Sequence, residues 1–269
     1  MKVYCNGELI SRETISEVFE PGFLFGWGIF EPLRTYGGNI PFLGEHLKRL
    51  DRSLELLGIE KVELDWEKTI RDLLSENALD DAYVRITAYK KRKGTGLLIY
   101  ADMFSYYTKE TYEKGFDSLI SSYKRNADEV SSKVKSLSYL QNRLSWLEAQ
   151  KAKKGEALVL NQDDHLVGGS RSNLFIVKDT HIVTPSLESG AFDGVTRRAV
   201  MKITQDLNLA VKEEKIKMED INSCEEAFLT SALMEVMPLI ECEEKTIGDG
   251  KPGNSTLKIL SEYRNIVCS

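Results

Sequence analysis

The stretch Ser172-Asn173-Leu174-Phe175-Ile176-Val177 is a short run rich in apolar and β-branched residues, and it predicts a β-strand. Runs of the same kind dominate the second half of the chain, and helical patterns lie between them near 196–207 and 254–264, with a short turn of helix at 218–221. The other predicted strands of this half are Phe116–Ser121, Ala157–Leu160, His181–Thr184, Ala227–Thr230 and Val236–Ile240.

The first half combines predicted hairpins with helices. Asn6-Gly7 predicts the turn of a first hairpin, and Gly37-Gly38 predicts the turn of a second, between Leu33–Tyr36 and Ile40–Phe42. Leucines spaced by three and four predict a helix over 43–57 that ends at Gly58. A second helix is predicted near 65–77, then strands over 83–89 and 97–104 that are joined by the basic turn 90–96.

Strands and helices in both halves predict an α+β protein rather than a doubly wound sheet. The polar stretch Ser105–Lys114 is the candidate linker, so we predict a small N-terminal domain over 1–114 and a larger C-terminal domain over 115–269. A helix over 137–154 is predicted to open the second domain, with Leu140, Leu144, Leu147 and Ala152 on one apolar stripe.

Composition and charge disfavour several classes of protein. With 42% apolar and 29% charged residues, the chain is predicted to be globular. The net charge of -6 disfavours nucleic-acid binding, which depends on neutralising phosphates. No apolar run approaches the length of a membrane helix and the N-terminus lacks a signal-like stretch, so we expect a cytoplasmic protein that contacts no membrane. Four scattered cysteines and three scattered histidines predict no metal site.

Two glycine-containing segments could carry chemistry. Gly194-Val195-Thr196-Arg197 begins a predicted helix, whose exposed N–H groups either seat a phosphate or are simply capped by a neighbouring side chain. The loop Val167–Asn173 is either a tight turn or a close approach of backbone to a cofactor. The familiar nucleophile-elbow, zinc-protease, dinucleotide and Walker motifs do not occur in the sequence.

Six ordered segments together resemble the class IV aminotransferases, which are pyridoxal-phosphate enzymes of fold type IV. That family includes branched-chain and D-amino acid aminotransferases and aminodeoxychorismate lyase. The resemblance implies a two-domain fold in which the larger, C-terminal domain is a pseudo-barrel. The segments are Phe25–Glu31, Glu45–Leu50, Lys135–Leu140, Gly169–Phe175, Gly194–Arg197 and Thr230–Pro238.

The resemblance assigns the cofactor, pyridoxal 5'-phosphate, to named residues. Lys135 would carry it as a Schiff base and later move the substrate α-proton, with Lys133 as the fallback. A low-dielectric pocket beside other cations suits this role, because it lowers the pKa of a lysine. The remaining implied cofactor contacts are Arg49, Val195, Thr196 and Ser231 at the phosphate, Ala232 beside them, and Tyr139 at the ring oxygen or, alternatively, packed in the core.

Other positions concern the substrate or depart from the family pattern. Phe30 and Arg34 are implied at the substrate side, with a structural ion pair as the alternative for Arg34. The basic turn Lys90–Lys93 is either a solvated hairpin tip or an attractor for a dicarboxylate. Gly168 stands where the family usually has a glutamate that keeps the pyridine nitrogen protonated. Ala88-Tyr89 replaces the carboxylate-binding arginine of D-amino acid enzymes, and the segment around Ala232 is similar to the lyase branch.

The resemblance therefore implies transfer of an amino group between an amino acid and a 2-oxo acid. The alternative is an aminodeoxychorismate lyase, which releases pyruvate and leaves 4-aminobenzoate, and which Gly168, Ala232 and the basic turn 90–93 favour. A second alternative is a family member that has lost catalysis. A homodimer is also implied, with the second subunit closing the substrate side.

Overall fold

A computed structural model describes residues 1–179 and 181–269 of the chain. Its strands form a two-stranded hairpin, a three-stranded sheet and a nine-stranded sheet. The strands are β1 Lys2–Cys5, β2 Glu8–Ser11, β3 Gly28–Arg34, β4 Ala82–Lys90, β5 Thr95–Met103, β6 Phe116–Ile120, β7 Glu156–Leu160, β8 Leu166–Gly169, β9 Asn173–Lys178, β10 His181–Pro185, β11 Val211–Glu214, β12 Glu226–Ser231, β13 Glu235–Cys242 and β14 Lys245–Thr246.

Helices lie between these strands, and single turns of 3₁₀ helix occur within Arg12–Phe19 and at Leu187–Ser189. The α-helices are α1 Pro21–Phe25, α2 Leu43–Leu56, α3 Trp66–Glu76, α4 Lys109–Lys114, α5 Val130–Lys133, α6 Leu140–Lys151, α7 Val195–Asp206, α8 Met218–Ser223 and α9 Asn254–Val267.

The N-terminal half is built on the antiparallel sheet β3-β4-β5. Residues of β4 alternate between buried and half-buried, the period-two pattern of a strand with one face on a core. The apolar faces of α2 and α3 cover that face, and their leucines share one buried cluster with β3 and β4. Asp65 begins α3 by accepting the N–H of Lys68, as an N-cap residue does.

The C-terminal half is built on the nine-stranded sheet, whose order is β11-β10-β9-β12-β13-β6-β7-β8 with β14 beside β13. The two ends of this order approach each other, because Leu166 of β8 bridges to Ile216, two residues after β11. The sheet is therefore curled rather than flat. Phe175 and Phe228 stack at 4.9 Å between ring centroids inside its buried cluster.

Most predicted elements are confirmed, with two differences. The second hairpin is reduced to a bridge between Tyr36 and Asn39, because Phe42 turns to begin α2 instead of extending a strand. Helix α6 begins three residues later than predicted, and its apolar stripe does not face the core. Leu140 is 70% exposed and Leu147 43% exposed, whereas Ser145 and Ala149 are buried.

The linker candidate Ser105–Lys114 contains α4, and Tyr112 within it is buried in the C-terminal cluster. Val134 packs in the N-terminal cluster although it lies beyond the predicted boundary. The division into 1–114 and 115–269 stays a prediction.

No helix in residues 1–179 and 181–269 is long and apolar enough to cross a membrane. In the same residues, no three His, Cys, Asp or Glu side chains are grouped so that they could hold a metal ion.

Candidate active site

Lys135 lies where the two halves of the molecule meet. The segment 135–137 runs antiparallel to β3: the Lys135 carbonyl accepts the Phe30 N–H at 2.9 Å, and the Leu137 N–H donates to the Gly28 carbonyl at 2.9 Å. Local sequence gives no sign of this bridge, which is a contact between distant segments. It holds the lysine backbone against the N-terminal sheet while the side chain enters a cavity of the C-terminal half.

The environment of the Lys135 amine favours its neutral form. Its Nζ lies over three aromatic rings, 5.0 Å from the centroid of Phe192, 5.3 Å from Phe30 and 5.5 Å from Tyr139. Burial first, and the charge of Arg49 second, lower its pKa to about 7. Near neutral pH the amine is therefore a competent nucleophile and proton acceptor.

Arg49 on α2 is held by a buried carboxylate. Its Nε and Nη2 donate to the two carboxylate oxygens of Glu31 at 2.8 and 2.6 Å, and His46 contacts the same carboxylate at 3.0 Å. Burial raises the pKa of Glu31, but Arg49 outweighs it and brings the value to about 2. Burial lowers the pKa of His46. The remaining nitrogen, Nη1, donates to the Asp193 carbonyl at 3.3 Å, so Arg49 points to the start of α7.

The first turn of α7 has the form of an anion seat. Its N-cap is Gly194, and no side chain of the described residues caps the N–H groups of this turn, to which Val195 and Thr196 belong. A Cβ at position 194 would lie 2.2 Å from Asn173 Oδ1, so the glycine allows β9 and the helix start to approach closely. Asp193 beside it pairs with Arg198 at 2.8 Å and Arg52 at 3.6 Å, which adds cations around the helix end.

A chain of contacts connects this helix start to the cavity around Lys135. Asn173 lines the cavity and donates to the Phe192 carbonyl at 2.7 Å, and Phe192 lines it too. Asn173 pairs with Thr230 at the end of β12. The Thr230 hydroxyl is fully buried and has no partner among the described residues.

Ser231 and Ala232 follow Thr230 at the end of β12. The Ser231 oxygen accepts the N–H of Met234 at 3.2 Å, so it stabilises the turn into β13. Both residues are half-buried, and neither is among the residues that line the cavity around Lys135.

Tyr139 lines the cavity beside Lys135, in an edge-to-face contact with Phe30 at 5.1 Å. Its hydroxyl donates to the Ser170 carbonyl at 3.0 Å. Burial raises its pKa to about 12, so the hydroxyl keeps its proton. The ring is thus wedged against Phe30 while its oxygen stays free to accept a hydrogen bond.

Arg34 forms a structural ion pair and does not line the cavity around Lys135. Its Nη1 donates to Glu235 Oε1 at 2.9 Å, and its guanidinium lies between the rings of Tyr36 and Phe104. Glu235 also pairs with Arg264. Four strand residues, about 13 Å, separate Arg34 from Phe30, so the buried Glu235 is the partner within its reach.

The basic turn 90–93 is partly neutralised. Lys91 pairs with Glu17 at 2.8 Å, and the Arg92 N–H donates to Glu20 at 2.7 Å. Arg92 and Lys93 are exposed. These contacts match the hairpin-tip alternative.

Sequence reasoning missed two arginines of the site. Arg125 lines the cavity, and burial lowers its pKa. Arg85 on β4 lies over the Phe30 ring at 3.8 Å, and its Nε donates to the Thr87 hydroxyl at 3.2 Å; it belongs to none of the ion pairs among the described residues. Alternation along β4 could have placed Arg85 beside the face of β3, but no local signal marks Arg125.

Comparisons with known proteins show the family to which the chain belongs. Residues 28–242 match the family model described as amino-transferase class IV. The chain is 30% identical to an aminodeoxychorismate lyase of Bacillus subtilis, over 98% of this chain and 96% of that protein.

Solved structures of the family have the same fold. The branched-chain aminotransferase of Thermoproteus uzoniensis, solved with norvaline, superimposes with a TM-score of 0.85 at 30% identity, over 100% of this chain and 95% of that one. The T.th. branched-chain amino acid aminotransferase, solved with pyridoxamine 5'-phosphate, gives 0.88 at 26% identity, over 99% and 94%. The α+β, fold type IV architecture is confirmed, and the chain belongs to the class IV aminotransferase family.

Proposed function

We propose that the protein is a pyridoxal-phosphate-dependent aminotransferase that moves an amino group between an amino acid and a 2-oxo acid. The observation that carries the proposal is the Lys135 amine, whose pKa is lowered to about 7 in a cavity next to an uncapped helix start. An amine in a cavity and an anion seat next to that cavity, connected through Phe192 and Asn173, suit an aldehyde that bears a phosphate.

The residues present fit this cofactor. The first-turn N–H groups of α7, at Val195 and Thr196, would bind its phosphate, and Arg49 would add a guanidinium held in place by Glu31. Ser231 and Ala232 are proposed beside this phosphate, at the end of β12. Tyr139 would hydrogen-bond the ring oxygen. Pyridoxal 5'-phosphate supplies an aldehyde that bonds covalently to an amine and a ring that accepts electrons from the substrate α-carbon.

The chain itself supplies proton transfer and exclusion of water. Because its pKa is about 7, Lys135 Nζ is partly neutral at pH 7. In this form it takes the proton from the substrate α-carbon and returns it to the product. The rings of Phe30, Tyr139 and Phe192 around it reduce the contact of the amine with water and so hold its pKa down.

Arg85 is the proposed partner of the substrate carboxylate. It lies over the same Phe30 ring that faces Lys135. A guanidinium without a carboxylate partner, half-buried against an aromatic ring, suits a carboxylate that arrives with the substrate. Arg34 is engaged by Glu235 and is not proposed for this role.

The lyase reaction is the second candidate. Position 168 supplies no acid for the ring nitrogen. Where no other group replaces that acid, a reaction that must store charge on the ring is slowed more than one that expels a leaving group promptly. The chain is 30% identical both to the lyase of Bacillus subtilis and to the aminotransferase of Thermoproteus uzoniensis, so sequence identity is compatible with either candidate.

One preparation assayed for both reactions separates the two candidates. Amino transfer that requires a 2-oxo acid supports the aminotransferase, and pyruvate release from aminodeoxychorismate without an amino acceptor supports the lyase. Borohydride treatment followed by peptide mass analysis should find the cofactor on Lys135 and not on Lys133. A Lys135→Ala variant should lose both attachment and turnover, and full turnover in that variant would contradict the mechanism.

We also propose a homodimer formed through an apolar surface beside the site. This surface, the α1–α6 face, consists of Phe23, Phe25, Leu140 and Leu147. The first three are 69%, 71% and 70% exposed. The hydroxyl of Ser138, three residues after Lys135, contacts the Gly26 carbonyl at 3.4 Å. The end of α1 therefore lies against the segment that leads into α6. A second copy on this face would close the cavity.

A further inference from the structure

One wall of the Lys135 cavity is backed by a buried carboxylate that the roles above do not use. Ser170 lines the cavity, and its hydroxyl donates to Glu156 Oε1 at 2.5 Å. Glu156 is 0% exposed; it also accepts the Ala157 N–H at 3.0 Å and the Ser172 hydroxyl at 2.9 Å. The Nε of Arg171 lies 3.8 Å away. Ser170 is therefore the link between this carboxylate and the cavity.

The backbone at position 168 disfavours an acid there. Gly168 has a φ of +136°, and a Cβ would lie 2.7 Å from the Ser172 carbonyl oxygen. A glutamate at 168 would need a different turn between β8 and β9. The turn that is present instead directs the hydroxyls of Ser170 and Ser172 onto Glu156.

A pyridine ring in this cavity needs a partner for its nitrogen, because that partner decides whether the ring attracts electrons strongly. The carboxylate of Glu129 also lines the cavity, but that residue is exposed. The Ser170 hydroxyl gives its hydrogen to Glu156, so the lone pairs of its oxygen remain free to accept an N–H group. A hydroxyl in this state complements a protonated nitrogen.

We propose that Glu156, acting through the Ser170 hydroxyl, keeps the proton on the pyridine nitrogen of the cofactor in place of the acid absent at Gly168. The proposal rests on the proposed function, since it needs the cofactor at Lys135. Glu156 is a positioning residue in this scheme, because it acts only through Ser170. Its negative charge also offsets the positive charges of Arg125 and Arg171, which line the same cavity and would otherwise disfavour the positively charged, protonated nitrogen.

The test measures the ring nitrogen directly. The protein is loaded with pyridoxal 5'-phosphate labelled with ¹⁵N in the ring, and the ¹⁵N resonance is recorded near neutral pH for the wild type, Ser170→Ala, Ser170→Thr and Glu156→Gln. We expect a protonated-type resonance in the wild type, a shift toward the unprotonated pyridine position in Ser170→Ala and Glu156→Gln, and recovery in Ser170→Thr, which keeps the hydroxyl.

Two controls separate this role from simple support of the turn. Ser172→Ala removes the other serine from Glu156 but leaves the Ser170 contact, so it should keep the wild-type resonance. Glu148→Gln alters a carboxylate that accepts from Ser121 and Ser122 outside the cavity lining, and it should also leave the resonance unchanged.

Three outcomes would overturn the inference. An unprotonated nitrogen in the wild type is one, and a resonance that is the same in wild type, Ser170→Ala and Glu156→Gln is another. An equal shift in Ser172→Ala and Ser170→Ala is the third, because Glu156 would then only hold the turn. If borohydride attaches no cofactor to Lys135 in the wild type, the proposed function falls and takes this inference with it; attachment with an insensitive nitrogen refutes the inference alone.

Discussion

The lowered pKa of Lys135 has a consequence that can be measured without substrate. Only the neutral amine reacts with an acylating reagent, so the rate at which Lys135 is modified in cofactor-free protein should rise through pH about 7. Peptide mass analysis follows the two lysines of the same segment, and exposed Lys133 is the internal control. At pH 7 we expect faster modification of Lys135 than of Lys133. Slower modification of Lys135 at every pH would contradict a neutral amine in an accessible cavity.

The role proposed for Arg85 predicts a change in the binding of the substrate carboxylate. A hydrogen bond to a charged group contributes about 1.5–3 kcal/mol, so Arg85→Gln should raise KM for the amino acid by roughly 10- to 100-fold. The value of kcat should change less, because the carboxylate contact is made both in the bound substrate and in the transition state. Steady-state kinetics checks this, with Arg92→Gln on the exposed hairpin tip as the matched control. A loss confined to kcat would place Arg85 in the chemical step instead.

Single residues were predictable where a local pattern or a family motif marks them. Lys135 and Tyr139 line one cavity, Phe30 contacts both of them, and Arg49 points to the helix start beside it. Arg34, in contrast, pairs with Glu235, a residue 201 positions away. Nothing in the residues near Arg34 reveals that partner, because an ion pair between strands of different sheets is set by the tertiary fold.

At the level of elements, Glu31 joins β3 to α2. Its pKa of about 2 lies below the roughly 4.3 of an unfolded glutamate. A depressed value means that Glu31 contributes stability above pH about 4.3 and loses that contribution as pH falls toward 2. Glu31→Gln leaves Arg49 buried without a charge partner, which should cost about 3–5 kcal/mol at pH 7.

Urea unfolding at a series of pH values checks this contribution. The free energy of unfolding should differ most between wild type and Glu31→Gln at neutral pH, and the difference should narrow between pH 4 and 2. Glu45→Gln, on the exposed side of α2, should change stability by only about 0.5 kcal/mol or less. A difference that stays constant down to pH 2 would exclude a depressed pKa for Glu31.

Helix α6 shows that a sequence pattern can predict a helix without predicting which surface its apolar side contacts. The spacing of Leu140, Leu144 and Leu147 correctly indicates a helix with an apolar stripe. It cannot tell whether that stripe meets the chain's own sheet or another molecule. Against β7 the helix places Ser145 and Ala149, small residues that allow close packing, and Ser121 donates to the Ser145 hydroxyl at 2.7 Å.

For the whole molecule, the exposed stripe of α6 and the aromatic residues of α1 predict self-association. Phe25→Asp and Leu140→Asp should each convert the proposed dimer to monomers and lower turnover, because an interface of standard size, about 1,600 Å², does not tolerate a buried charge at its centre. Light scattering at micromolar concentration measures the mass. Leu257→Asp on α9, at a residue 42% exposed, is the control. A wild-type monomer with full turnover would refute the dimer.

The antiparallel bridge between residues 135–137 and β3 joins parts of the proposed site that are made in the first half of translation. Arg49 leaves the ribosome early and Lys135 midway, but the start of α7 and the end of β12 are made only after residue 195 and residue 230. Lys135 is thus made long before the helix start that is proposed to bind a phosphate. Capture of the proposed cofactor must therefore wait until synthesis is nearly finished, and a product truncated before residue 195 would carry the lysine with no helix start to receive the phosphate.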